Sequence, residues 1–350
     1  MRRDKARQFT EKELKRIERE LNRIYVKSSA KVGKPFRDYM RRVNKETASA
    51  VNLYNKALQN GSRRDREAAK SILEKALYNE TLGNKKYRKT VALVTNRMAE
   101  VNVAALAYIT SKMPEIYTVN YNAIAPKAIK LGVDWTIINK NTVQNLAKEK
   151  KIQTPSKILN IPKDKRWNAK KINSEVLQGI KKGESADKIA KRIFPHINAK
   201  TNYAGLSKEE RRALIRKNEQ SAMRNARTMV TQAENLGRLD SYFELERKGV
   251  VTQKQWLAVG DDRTRDSHLS IDGETVDLDE KFSNDLMYPG DPAGDPDEVW
   301  ECRCSMEEVI IGFVGDNGNT NLVDRSLHED TGHSKSVQDE IRRREQKRRK

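Results

Sequence analysis

Cysteine is nearly absent from this chain: there are two in 350 residues, Cys302 and Cys304. That excludes a disulfide framework, and a bridge between residues two apart would be badly strained. The pair fits a reducing compartment. Long apolar runs are also missing. No stretch approaches the ~18 apolar residues of a membrane span. The N-terminal MRRDKARQFTEKELK is charged where a signal peptide would carry an apolar run, so no membrane partner is expected. Aromatics make up 6% and apolar residues 36%, the latter below the ~45–50% of an ordinary domain. Nine prolines and seventeen glycines add little loop chemistry. The core should be thin and spread along extended helices.

Charge is what the chain has in quantity. Charged residues reach 34% and the net charge is +21. The stretch Asp261–Glu308 holds 16 acidic and four basic residues, net −12, so the remainder carries +33. An acidic module therefore sits in a basic chain. The basic part should attract a polyanion, and nucleic acid is the usual one. The plainer alternative is a helical surface kept soluble by lysine.

Apolar residues recur every three or four positions along the first third: Leu14, Ile17, Leu21, Ile24 and Tyr25, then Phe36, Met40, Val43, Val51, Tyr54 and Leu58, with Thr47 the one polar member of that stripe. Each set marks one helix face, and Asn60-Gly61 should end the second. A third helix is expected near Arg64–Tyr78. A fourth carries Val91, Val94, Met98, Val101, Ala105, Tyr108 and Ile109 and should stop before Pro114. Residues 114–170 read as an irregular basic linker. A helical pair follows, with Ile172, Val176, Leu177 and Ile180 on one face, a turn at Gly183, and Ser185 capping the second helix. Ser207–Glu210 forms a capping box that opens a long helix reaching Gly249.

At Val250 the periodicity changes. Val250–Trp256 reads as a strand, turn residues and acids follow, and Cys302–Met306 and Val309–Ile311 read as closing strands. The chain ends IRRREQKRRK, seven basic residues in ten. Arg342, Arg343, Arg344, Lys347, Arg348, Arg349 and Lys350 are its candidate nucleic-acid contacts, and the tail is expected to be disordered. The expected fold is mainly α with a small C-terminal α+β module: extended amphipathic helices, a short antiparallel sheet and a disordered basic tail. The expected boundaries are 1–113 for a partner-binding helical arm and 114–170 for the linker. The module spans 171–314, with helices over 172–248 and its α+β part over 250–311, and the tail spans 315–350.

Three pieces in the C-terminal half stand in order. Ala226-Arg227-Thr228 lies on the long helix. Trp256 is followed by Asp262-Arg263-Thr264-Arg265, His268, Gly273 and Val276. Phe282 is followed by Pro289-Gly290-Asp291-Pro292 and Cys302-Arg303-Cys304. Together, over roughly 172–311, they resemble the C-terminal module of the phage Mu F-like, or phage head morphogenesis, family of minor head proteins. The resemblance implies a non-enzymatic minor capsid component in the virion, at the head interior or the portal vertex, made in the host cytoplasm. Its implied partners are the portal protein, a capsid or scaffold protein, and double-stranded DNA held non-specifically.

The residues also have a reading of their own. Asp262 can cap a short helix from Arg263, which puts Arg265 and His268 on one face. Cys302 and Cys304 on a strand point to one side and Arg303 to the other. If these segments meet, His268 and the two thiolates are candidate ligands for a structural zinc. The simpler alternative is two small buried cysteines and a histidine bonded to a carbonyl. Arg227, Arg265 and Arg303 are expected to pair with carboxylates such as Asp262, Asp266 and Glu301, and Trp256 to anchor the core. Asp262, Asp266, His268 and Glu301 are also the residues a nuclease or toxin would use. No second histidine, serine arrangement or phosphate loop accompanies them, and no catalytic residue is assigned. A sequence-specific DNA-binding or recombinase-like protein is the remaining alternative, supported by the charge and the helical pair.

Overall fold

The computed structural model describes residues 4–139, 141, 161–194, 197, 208–314, 320–322, 338 and 343, with backbone only at 30, 161, 162, 208–221, 320 and 322. The helices are α1 (Lys5–Glu46), α2 (Ala48–Asn60), α3 (Arg63–Glu80), α4 (Lys85–Tyr121), α5 (Ala125–Lys130), α6 (Ile161–Lys181), α7 (Ala186–Ile193) and α8 (Lys208–Arg247). A small α+β part follows: β1 (Val250–Leu257), α9 (Asp266–Ser270), β2 (Thr275–Asp277), α10 (Pro296–Val299), β3 (Ser305–Val314) and β4 (Thr320–Leu322). The fold is thus mainly α with a short antiparallel sheet, in the strand order β2-β1-β3-β4.

Compactness groups the chain into two units, each drawn from separate stretches. One takes residues 19–106 and 159–222. Its core takes Phe36, Met40 and Val43 of α1, Val91 and Val94 of α4, and Ile172, Val176 and Ile180 of α6 from the expected stripes, and adds Val32, Leu73, Leu77, Ile189 and Ile193; Leu58 and Leu177, expected on the same faces, are exposed. Thr47, at the break between α1 and α2, is buried and donates its hydroxyl to the Val43 carbonyl at 2.8 Å. Ser185 caps α7 by accepting from the Lys188 N–H. The Ser207 capping box lies outside the described residues.

The other unit takes residues 1–18, 107–158 and 223–350. One apolar cluster joins Ile124, Trp135, Leu239, Tyr242, Leu245, Val250, Met306 and Ile310. A second joins Trp256, Leu269, Phe282, Leu286, Val299, Cys302 and Cys304. In β1 the buried and half-buried residues alternate strictly, as a strand with one core face requires.

Several expectations need correction. Pro114 does not stop the fourth helix but lies inside α4. A proline there removes one hydrogen bond and crowds the preceding turn. Ile109 and Met113 before it, and Ile116 and Tyr117 after it, are all buried, and burial on both sides of the proline offsets the loss. The described part of 114–170 accordingly carries the end of α4, a 3-10 turn at Asn122–Ile124, α5 and the start of α6. The two closing strands are a single β3, and the cysteines precede it rather than lie on it. Thr320–Leu322, within the stretch expected to be tail, pairs as β4. Of the seven tail cations only Arg343 is described; Arg342, Arg344, Lys347, Arg348, Arg349 and Lys350 lie outside the described residues.

α8 packs tightly on α4 at Gly237, where a Cβ would stand 2.6 Å from the Tyr117 carbonyl oxygen. Glycine to alanine inside a helix ordinarily gains up to about 1 kcal/mol. Here Gly237→Ala should instead destabilise the protein by about 1–3 kcal/mol, as overpacking does, measured by urea unfolding. An unchanged midpoint would show that the two helices separate freely.

Candidate functional site

The three pieces singled out in the sequence meet in one cluster built on α8. Trp256, fully buried at the end of β1, stands edge-on to His268 and Phe282, each with a ring separation of 5.1 Å. Such edge contacts add to the area that a tryptophan buries. Gly273, with φ +85°, sits in the left-handed region that glycine enters freely. Its N–H donates to the Trp256 carbonyl at 2.8 Å.

Each arginine of the pattern has an acceptor. Arg303 makes a forked pair with Asp261, at 2.6 and 2.5 Å. The partner is thus the residue before Asp262, which is exposed. The Asp261 carboxyl is held well below its usual range, mainly by the hydrogen bonds from Arg303. Arg227 bonds Glu301 and Glu18, both at 2.9 Å. Arg265 donates to the Trp300 carbonyl instead of a carboxylate. It also occupies the N-cap of α9, which begins at Asp266 and not at Arg263, and no side chain caps that helix.

The segment between Trp300 and Cys304 is buried or half-buried yet belongs to no sheet, so its backbone groups need partners elsewhere. The Trp300 and Cys302 N–H groups donate to the Pro296 and Val299 carbonyls at 3.0 and 3.3 Å, and most of the others find side chains. The Glu301 N–H donates to Thr228 Oγ1 at 3.0 Å, and the Cys302 carbonyl accepts from Thr231 at 2.6 Å. The Arg303 carbonyl accepts from Arg7, and the Cys304 carbonyl accepts from Asn235 at 3.2 Å. Asn235 also donates to the carbonyls of Thr231 and Pro289, at 2.9 and 3.2 Å. Arg7 and Glu234 pair at 2.9 Å in a buried setting, and Ser305 donates to the same Glu234 oxygen at 3.2 Å. Asp291 organises the proline-glycine turn by accepting from the N–H groups of Met287 and Ala293. Thr231, Glu234, Asn235 and Arg7 were missed in the sequence. Their signal was present: residues 228, 231, 235 and 238 recur at helical spacing on α8, and all are polar.

His268, Cys302 and Cys304 converge. All three are buried, and the histidine Nδ1 lies 3.7 Å from the Cys302 sulfur and 3.5 Å from the Cys304 sulfur. Glu298 Oε2 stands 2.8 Å from the other ring nitrogen, Nε2, without the alignment of a straight hydrogen bond. A hydrogen bond from Cys304, outweighing burial and helped by His268, holds the Cys302 thiol well below its ordinary range. The same contact, together with burial, pushes Cys304 up.

A tryptophan strand, an Arg–His turn and a thiol-bearing return segment thus all pack on one polar-faced helix. Residues 170–307 match the family model described as phage Mu protein F like protein, so this stretch is similar to that family. The chain is also similar to the minor head protein GP7 of Bacillus phage SPP1, at 26% identity over 185 residues, 51% of this chain and 54% of that protein. Similarity extends to an NAD(+)–arginine ADP-ribosyltransferase, EFV, of Enterococcus faecalis, at 27% identity over 147 residues, 41% of this chain and 26% of that protein. The chain therefore spans about half the length of one curated relative and about a quarter of the other. No solved structure gives a significant match.

Two measurements check this geometry. Asn235→Ala removes the donor to two loop carbonyls and leaves buried acceptors unpaired, which should cost about 2–4 kcal/mol. A loss under about 0.5 kcal/mol in urea unfolding would mean that the return segment does not depend on it. Lys254 gives the second. It is fully buried on β1, with Nζ donating to the Leu278 carbonyl at 2.9 Å, and desolvation lowers its pKa to about 8 against the pull of nearby carboxylates. The unfolded chain keeps this proton to about pH 10.4. Between those values the unfolded state binds more protons, so stability rises with pH. Stability at pH 10 relative to pH 7 should rise more in the wild type than in Lys254→Met, by up to about 3 kcal/mol. Parallel pH profiles would contradict a buried ammonium.

Proposed function

We propose that this chain is a minor head protein of a bacteriophage, built into the virion at the portal vertex or head interior during head morphogenesis. The observation that carries the reading is the convergence of Arg227, Thr228, Trp256, His268, Gly273 and Cys302–Cys304 in one folded cluster, inside the stretch matched by the family model. The name of the SPP1 relative supports the same role. In this reading the acidic module is the anchor that docks on the portal or a capsid or scaffold protein, and the N-terminal helices form an arm for a partner.

The basic remainder of the chain, +33 outside Asp261–Glu308, contacts packaged double-stranded DNA through phosphates rather than base edges. Arg342, Arg343, Arg344, Lys347, Arg348, Arg349 and Lys350 contribute to that contact. The role is structural. Transferase activity belongs by name to a protein of which this chain matches about a quarter, and the shared stretch is read here as the head module. Among the described residues no helix is long and apolar enough to cross a membrane.

Binding of the purified chain to unrelated duplexes should be equal within error and fall steeply with salt. Removing residues 342–350 should lower the slope of log K against log salt by up to about 6, since seven cations are lost. A strong preference for one duplex would favour a sequence-reading protein instead. Co-expression with the portal protein of the same phage should yield a complex that survives purification, and its absence would remove the vertex from the proposal.

A further inference from the structure

Among the described residues, one group of metal-binding side chains stands out: His268, Cys302 and Cys304, whose ligand atoms all lie within 4.8 Å of one another. The three come from two segments far apart in sequence, α9 and the return loop, and each is buried to within 2% of full enclosure. Zinc binds sulfur at about 2.3 Å and histidine nitrogen at about 2.0–2.1 Å, so a tetrahedral ion puts the N···S edge at about 3.6 Å. The two edges found are 3.7 and 3.5 Å. We propose that Nδ1 of His268 and the sulfurs of Cys302 and Cys304 hold a structural Zn2+.

Charge supports this site. Two thiolates, a neutral imidazole and Zn2+ sum to zero, which a buried position tolerates far better than an isolated charge. Without the ion, two weak S–H donors would face one imidazole nitrogen, a poor return for burying three polar groups. The ring is also poised for it. Ligation through Nδ1 leaves the proton on Nε2, and the Glu298 carboxylate lies 2.8 Å from that nitrogen, the usual outer partner of a zinc-bound histidine. Glu298 is itself fixed by the Ser267 hydroxyl, which donates to both of its oxygens.

The backbone is arranged for the same geometry. Glu301, directly before the first cysteine, has φ +56°, a left-handed conformation that non-glycine residues rarely hold without support. Thr228 accepts its N–H, and Arg227 and Arg224 hold its carboxylate. The turn so fixed places both sulfurs toward α9. Closing the ion between α9 and residues 302–304 staples the turn to the strand that follows. Such a staple suits a module whose apolar core is small.

Elemental analysis of the folded full-length chain, purified from zinc-supplemented growth without chelator, should give one zinc per chain. Replacing zinc by cobalt(II) should produce the visible bands of a tetrahedral ion and a thiolate-to-cobalt charge-transfer band. The double substitution Cys302→Ser, Cys304→Ser should take the stoichiometry from one to none. If that variant does not fold, the wild type still decides the matter: its two thiols should resist alkylation until a chelator is added. Zinc at a small fraction of one per chain, a stoichiometric metal other than zinc, a cobalt spectrum without the thiolate band, or thiol reactivity unchanged by the chelator would each overturn the site.

Discussion

Backbone polar groups buried outside regular structure need partners, and the C-terminal module is organised around that requirement. The return segment from Trp300 to Cys304 lies against α8 as neither helix nor strand. An unpaired buried carbonyl or N–H costs on the order of 1–3 kcal/mol, so five successive residues left unpaired would cancel the stability of an ordinary domain. Two N–H groups bond backbone carbonyls of α10, at Pro296 and Val299, and the other contacts come from side chains: Arg265, Thr228, Thr231, Arg7 and Asn235. The position of the two cysteines follows from this pairing, because the same segment that carries them is fixed carbonyl by carbonyl.

The module also buries polar side chains. A module that holds its loops with side-chain donors must bury those side chains, and Arg7, Glu234, Asn235 and Arg238 are all largely enclosed. Buried ion pairs are poor sources of net stability, because desolvation offsets their attraction. Their value lies in geometry: Glu234 is shared by Arg7 and Ser305, so one carboxylate ties α1, α8 and the start of β3 in a single register. Apolar clusters above and below supply the burial energy, while the polar layer decides where the segments stop.

What the sequence disclosed, and what it hid, follows from the range over which each force acts. Helix stripes and the alternation of β1 were legible because burial acts on neighbours three, four or two residues apart. The Trp–His–Cys cluster was legible because its residue types are few and stand in order. Asp261, the partner of Arg303, was not among the carboxylates named for the arginines, because turn geometry decides which of two adjacent acids faces inward. Pro114 misled because a local penalty was weighed without the tertiary packing of Met113 and Ile116 on either side. The donors Thr231 and Asn235 on α8 were not legible as such, because nothing near them in sequence announces a loop some seventy residues away.

Arg7 shows how far this dependence reaches. It pairs with Glu234 and bonds the carbonyl of Arg303, 296 residues further on, while Asp4 bonds Arg238 at 2.7 Å. The first turns of α1 are thus part of the same polar layer as the return loop. Contacts of such sequence separation form late and slowly, since the closure entropy of the intervening chain must be met before they contribute. The loop can reach full pairing only when both the start of α1 and the far strand are in place. The pairing of the cysteine-bearing segment therefore depends on residues from both ends of the sequence.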